Sequence, residues 1–150
     1  MTLWLPHITV AAVIEEQQRF LLVEEKITEV SVYNQPAGHL DEGEDLIHAV
    51  TRETLEETGW HFVPEQLVGI YQYTSPGSHT TYIRVCFCGR HTEFDPHRPL
   101  DRVIVRTLWW TREQVQQCEH LRSPMVLRCI DDYLAGIRYP LSLLTHLQTQ

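Results

Sequence analysis

A chain of 150 residues with 43% hydrophobic and 21% charged side chains can bury its own core, and its composition excludes a disordered, collagenous or membrane-embedded protein. Twelve basic against twenty acidic side chains give a formal charge of −8, which opposes general attraction to DNA, RNA or anionic lipid. Long nucleic acids and membranes are therefore not expected partners, and a polyanionic substrate needs a local cation.

Residues 1–150 read as one domain. The uncharged opening run, residues 1–14, is too short to span a bilayer, contains Pro6 and His7 and lacks a basic leader, so a cytoplasmic protein is expected. Residues 7–14, rich in Ile, Val and Thr, predict a strand, and residues 20–23 a second one that pairs with it in a hairpin across the polar turn 15–19. Residues 44–58 carry periodic apolar positions and stop at Gly59, which predicts a helix. Ile47, Val50 and Thr54 are expected to form the stripe that packs on the sheet.

Residues 67–74 and 81–88, separated by Ser75-Pro76-Gly77-Ser78, predict a second hairpin, and residues 103–110 a further strand. Thr111 precedes Arg112-Glu113-Gln114 in a capping-box arrangement, and Ser123-Pro124 opens a last helix that Gly136 stops. Met125, Val126, Ile130 and Leu134 on that helix are expected to close the chain's own core rather than a dimer seam, so a monomer is expected. Cys86, Cys88, Cys118 and Cys129 show no CxxC spacing, and Cys86 and Cys88 are expected on opposite faces of a strand, so neither zinc nor a disulfide framework is indicated. Strands interleaved with few helices imply an α+β fold, a mixed sheet with helices on its faces.

The predicted helix 44–58 places Glu53, Glu56 and Glu57 within one arc of about 100°. Like charges at these spacings work against an isolated helix, so a cation should compensate them. Oxygen-only donors on one face suit a hard divalent ion, Mg2+ or Mn2+, rather than zinc. Gly38 lets the backbone turn tightly and could supply a carbonyl ligand, Glu44 lies at the helix start, and Arg52 can orient a carboxylate through paired hydrogen bonds.

Taken together, Gly38-x5-Glu44-x7-Arg52-Glu53-x2-Glu56-Glu57-x-Gly59 matches all seven fixed positions of the Nudix box. Chance agreement at this composition is on the order of 10⁻⁸ per starting point. The chain thus resembles the Nudix hydrolases, which implies an α/β/α sandwich with a mixed sheet and the loop-helix-loop of the box. Of the two bulky places in that box, Trp60 fills one, and Thr54 departs from the other, a departure that bears on helix packing rather than ligands. The segments 6–10, 34–40, 121–124 and 138–141 are similar to a bacterial phosphatase subgroup of the family, which acts on thiamine diphosphate, hydroxymethylpyrimidine diphosphate and nucleoside di- or triphosphates.

The resemblance implies divalent-metal-dependent cleavage of a phosphoanhydride in a small diphosphate or triphosphate, releasing orthophosphate. It implies Glu53, Glu56 and Glu57 as metal ligands with Arg52 and Glu44 holding them, and a proton acceptor drawn either from the box or from a separate loop, for which Glu53 is the first choice. Glu93, Asp95 and Asp101 are loop alternatives for that last role. Arg84, which alternates with Ile83 and Val85, could grip a phosphate; His7 and His39 could touch phosphate; Tyr73, with Tyr33 and Tyr71, could stack on a heterocycle. The competing reading is a non-catalytic Nudix-fold module that binds a nucleotide or metabolite and regulates a partner. A Ca²⁺ loop of alternating oxygen ligands is missing.

Overall fold

The computed structural model describes residues 2–148. Its strands are β1 (His7–Val13), β2 (Glu15–Glu16), β3 (Arg19–Lys26), β4 (Ser31–Asn34), β5 (Ala37–His39), β6 (Trp60–Thr74), β7 (Thr81–Phe94), β8 (Ile104–Thr111) and β9 (Tyr139–Pro140). Its helices are α1 (Leu46–Thr58), α2 (Arg112–Gln117) and α3 (Met125–Leu134), followed by a short 3-10 turn, Leu141–Leu143.

Two sheets form the middle. One runs β5-β1-β7-β6-β9 and is mixed, with β1 parallel to β7 and the other neighbours antiparallel. In the other, β3 carries β8 along one edge and β2 and then β4 along the opposite edge. The alternation of side chains along β1 assigns its two faces: Val10 and Ala12 meet Ala49 and Val50 of α1, whereas Ala11 and Val13 meet Val126, Cys129 and Ile130 of α3. A strand buried on both faces, with helices on each side, is the sandwich the resemblance implied.

The first expected hairpin is corrected. β1 pairs with β5 and β7, and the chain passes to the other sheet at Ile14. The hairpin is β2 with the start of β3, turned by Gln17 and Gln18 at φ 52° and 64°. Two consecutive left-handed residues make the tight turn whose twist suits a two-residue hairpin. The hairpin of β6 and β7 is present and longer than expected, and β8 and the capping box at Thr111 fall where the sequence puts them.

Three further expectations fail. Ile47 is exposed, and Ala49 takes its place beside Val50 and Thr54. Leu134 is half exposed, so α3 spends only Met125, Val126 and Ile130 of its expected stripe on the core, with Cys129. Cys86 and Cys88 share one face, as residues two apart on a strand must, and both lie in the cluster under α3. All four cysteines are free. Among the described residues no helix is long and apolar enough to cross a membrane.

Candidate active site

α1 begins at Asp45, whose side chain accepts the His48 N–H, and ends at Gly59 in the left-handed conformation, φ 78°, with its N–H on Leu55 O. Thr54, the residue that departs from the box, is fully buried, and its hydroxyl donates to Val50 O at 2.8 Å. The helix itself thus satisfies that hydroxyl, and the departure leaves no buried donor open.

Two carboxylates dock α1 on β5. Glu57 is 5% exposed and its Oε1 accepts the Ala37 N–H at 2.8 Å. Glu53 lies against Gly38 so closely that any Cβ there would overlap its carboxylate. Arg52 holds the remaining acids. Its Nε and Nη2 form a fork on Glu44, at 3.0 and 2.6 Å, and its Nη1 donates to Glu53 Oε1 at 2.9 Å and Glu56 Oε2 at 3.1 Å. Nη2 also reaches the His39 carbonyl at 3.0 Å, so the guanidinium ties α1 to the end of β5. Hydrogen bonds from Arg52 hold the Glu44 carboxyl below its usual range.

The loop between β7 and β8 is fastened to the C-terminal half of α1: Asp95 N–H donates to Gly59 O at 2.9 Å, and Asp101 N–H to Glu56 O at 3.1 Å. This brings Asp101 to the helix. One carboxylate oxygen each from Glu53, Glu56 and Asp101 lie within 4.8 Å of one another. Burial pushes the Glu53 carboxyl up to about 7 against the pull of Arg52, and the Glu57 carboxyl up to about 9 against its hydrogen bond from Ala37.

Beside this face opens a cavity of about 670 Å³, lined by Gly38, Glu53, Glu57, His39, Tyr73, Tyr82, Arg84 and Arg122 among others. Of the residues the sequence singled out, Gly38, Glu53, Glu57, His39, Tyr73 and Arg84 line it; Arg52, Glu44 and Glu56 join it through the hydrogen bonds above. His7 lies next to it, its Nδ1 2.8 Å from His39 Nε2. Arg84 is buried, only 3% exposed. Tyr33 packs on Trp110 and Tyr71 donates to Asp132, both outside the cavity. Glu93, expected in a loop, lies in β7 instead, and of Glu93, Asp95 and Asp101 only Asp101 joins the cluster. Glu25 and Tyr82 carried no local signal, since nothing in their neighbourhoods distinguishes them until the fold gathers them; Gln35 and Arg122 lie in the segments 34–40 and 121–124 that carry the subgroup resemblance, which gives neither residue a role.

Residues 5–128 match the family model described as NUDIX domain. The chain is 38% identical over 139 residues to a protein named phosphatase NudJ from Escherichia coli strain K12, covering 93% of this chain and 90% of that one. A solved NUDIX hydrolase from Nitrosomonas europaea is similar with a TM-score of 0.92 at 48% identity, covering 95% of this chain and 97% of that one. A MutT protein from Methanosarcina mazei Go1 is similar with a TM-score of 0.71 at 25% identity, covering 90% and 99%.

Proposed function

The chain belongs to the Nudix hydrolase family, and on that premise we propose that it cleaves a phosphoanhydride bond in small organic diphosphates or triphosphates. Thiamine diphosphate, hydroxymethylpyrimidine diphosphate and nucleotides are the substrates we propose, orthophosphate the product, and Mg2+, or Mn2+ in its place, the cofactor. The observation that carries this reading is the convergence of Glu53, Glu56 and Asp101 oxygens beside a cavity lined by arginine.

The donors fit a hard divalent ion: they are carboxylate oxygens, two of them on a rigid helix, with no thiolate or imidazole among them. Glu53, Glu56 and Asp101 would hold it, with Glu57 and the Gly38 carbonyl from the cavity wall. When bound, such an ion neutralises phosphoryl oxygens and acts as a Lewis acid toward the phosphorus.

The chain's own side chains do the rest. Arg52, with Glu44 as its counter-ion, fixes one oxygen of Glu53 and one of Glu56 and leaves the second oxygen of each free. Glu53 in its ionised form accepts the proton of the attacking water, and burial, which pushes its carboxyl up to about 7, makes it a stronger base than a free carboxylate. Arg84 meets a substrate phosphate from β7, His39 borders the phosphate path with His7 behind it, and Tyr73 offers a ring to the heterocycle. We propose that the protein acts as a monomer.

Release of phosphate from a panel of these substrates tests the reading. Turnover is expected with Mg2+, and loss of turnover with EDTA or in a folded Glu57→Gln variant. Reaction in 18O-water is expected to label orthophosphate, the sign of attack at the terminal phosphorus. A folded protein that turns over nothing on a broad panel while binding a nucleotide would instead be the regulatory module.

A further inference from the structure

Two guanidinium groups line the cavity, and between them they have one carboxylate. Arg84 makes no ion pair among the described residues: its Nη1 donates to Gln35 Oε1 at 2.8 Å and its Nη2 to Asn34 Oδ1 at 2.9 Å, both neutral amides. Its Nε is buried without a hydrogen-bond partner. Gln35 is in turn tied to α3, its Nε2 donating to Val126 O at 2.7 Å, so Arg84 is held at both terminal nitrogens. A desolvated cation is costly unless an anion meets it, and a buried N–H costs most when it stays unpaired.

Arg122 stands in the loop before α3, which is laced to β4: Arg122 N–H donates to Tyr33 O at 2.8 Å and Tyr33 N–H to His120 O at 3.0 Å. Its Nη1 donates to Glu25 Oε2 at 3.0 Å, and among the described residues its Nε and Nη2 make no hydrogen bond. Those two nitrogens form one edge of the guanidinium, the edge that meets two oxygens of a phosphate side by side. The side chain is 39% exposed and lines the cavity, whereas Glu25 is buried. Burial pushes the Glu25 carboxyl up, against the pull of Arg122 and Arg84.

We infer that Arg84 and Arg122 form a second anion subsite, which takes the phosphoryl group of the substrate that the acidic helix face does not hold. Glu25 is its positioning residue and holds Arg122 in place from behind. The inference rests on the proposed hydrolysis of phosphoanhydrides, whose substrates carry at least two phosphoryl groups, and gives each of those groups its own subsite. Compounds with one phosphoryl group leave the arginine pair unmet and bind poorly.

Steady-state kinetics on a diphosphate with Mg2+ test this. Arg122→Gln is expected to raise KM roughly 10- to 100-fold, the loss of a charged hydrogen-bonding contact, while kcat changes by less than about threefold. Arg122→Lys, which keeps the charge and loses the fork, is expected to fall between the two. Glu25→Gln is expected to raise KM less than Arg122→Gln, and the double variant to be no worse than Arg122→Gln alone, because Glu25 acts only through that side chain. A KM for Arg122→Gln within twofold of wild type, or a loss confined to kcat, overturns the subsite.

Calorimetric binding of methylenediphosphonate with Mg2+, which needs no turnover, separates this inference from its premise, with thermal melts confirming that each variant is folded. Weaker binding in Arg122→Gln than in wild type supports the subsite even if no substrate is hydrolysed. Equal binding in the two proteins, or none in wild type, overturns it.

Discussion

Gly38 and Glu53 share one volume: a methyl group on residue 38 would overlap the carboxylate of Glu53. The box glycine is therefore required less for its backbone freedom than for the space it leaves over the carboxylate. Because the group in the way is the far end of a flexible side chain, Gly38→Ala is expected to fold normally and to push the Glu53 carboxylate aside. A displacement of about 1 Å at a catalytic group can cost about 100-fold in rate, so turnover should fall by that order. The melting temperature should move little. Kinetics and a thermal melt on the same preparation check the pair of outcomes, and a fully active Gly38→Ala would show that the placement of Glu53 does not govern the rate.

Stability of the metal-free protein should fall as pH rises. Burial lifts the Glu53 carboxyl to about 7 and the Glu57 carboxyl to about 9, both above the unfolded value of 4.5. The native state then binds more protons than the unfolded one, so the stability of this pair is fully present below about pH 4.5 and is lost through 7 and 9. Glu44, held below its usual range by Arg52, has the opposite sign, but its effect falls below pH 4.5 and outside this window. In EDTA the melting temperature is expected to drop between pH 5 and 9. Added Mg2+ should raise it by an increment that grows with pH over the same range, because the ligands must be ionised to bind. A metal-free melting temperature that is flat or rising over that range would contradict the burial of these acids.

The helix that carries the acids was legible because its signals are local. The glycine stop, the arc of carboxylates and the spacing of Arg52 from Glu44 all lie within 22 residues of one another, and periodicity converts spacing into direction. Ile47 misled for the same reason: periodicity marks it as apolar and cannot show that the folded chain leaves it exposed. The crossing of the chain between sheets at Ile14 was hidden, since residues 7–14 and 20–23 look alike whether they pair with each other or with strands far along the chain. Asp101 could be weighed only as one of several loop acids, because the bond from its N–H to Glu56 O is a property of the folded loop. Arg122 and Glu25 are 97 residues apart, and no sequence pattern joins them.

Gly59 should be hard to replace. It stops α1 at φ 78°, where an L-residue with a Cβ is strained, and a Cβ there would stand 3.0 Å from Asp95 O and 3.1 Å from the Phe94 ring. Asp95 O is backbone, in the loop that carries Asp101 to the site. Gly59→Ala is expected to cost about 1–2 kcal/mol from conformation alone, or roughly 2–8 °C in melting temperature. The backbone contact adds to that, and easing it shifts the loop. Turnover measured well below the melting temperature should fall as well, which a purely local helix stop would not cause.

Arg52 serves four carboxylates at once, Asp41, Glu44, Glu53 and Glu56, and the shape of its head group decides whether it can. A fork on Glu44, one nitrogen shared between Glu53 and Glu56, and a hydrogen bond to His39 O use a flat cation with several donors in fixed directions. An ammonium is a single point with three donors and cannot reproduce both the fork and the shared contact. Arg52→Lys is therefore expected to keep the charge balance and the fold, to lose about 1–3 kcal/mol of stability, and to lower kcat roughly 10- to 100-fold. The half-saturating Mg2+ concentration should rise, because Glu53 and Glu56 are no longer held side by side. Glu44→Gln should shift the same three readouts in the same direction but less, since it removes the charge behind Arg52 and leaves the contacts to Glu53 and Glu56. If Arg52→Lys matched wild type in its Mg2+ dependence, the carboxylates would be held by the sheet alone, through Gly38 and Ala37, and Arg52 would serve only the helix.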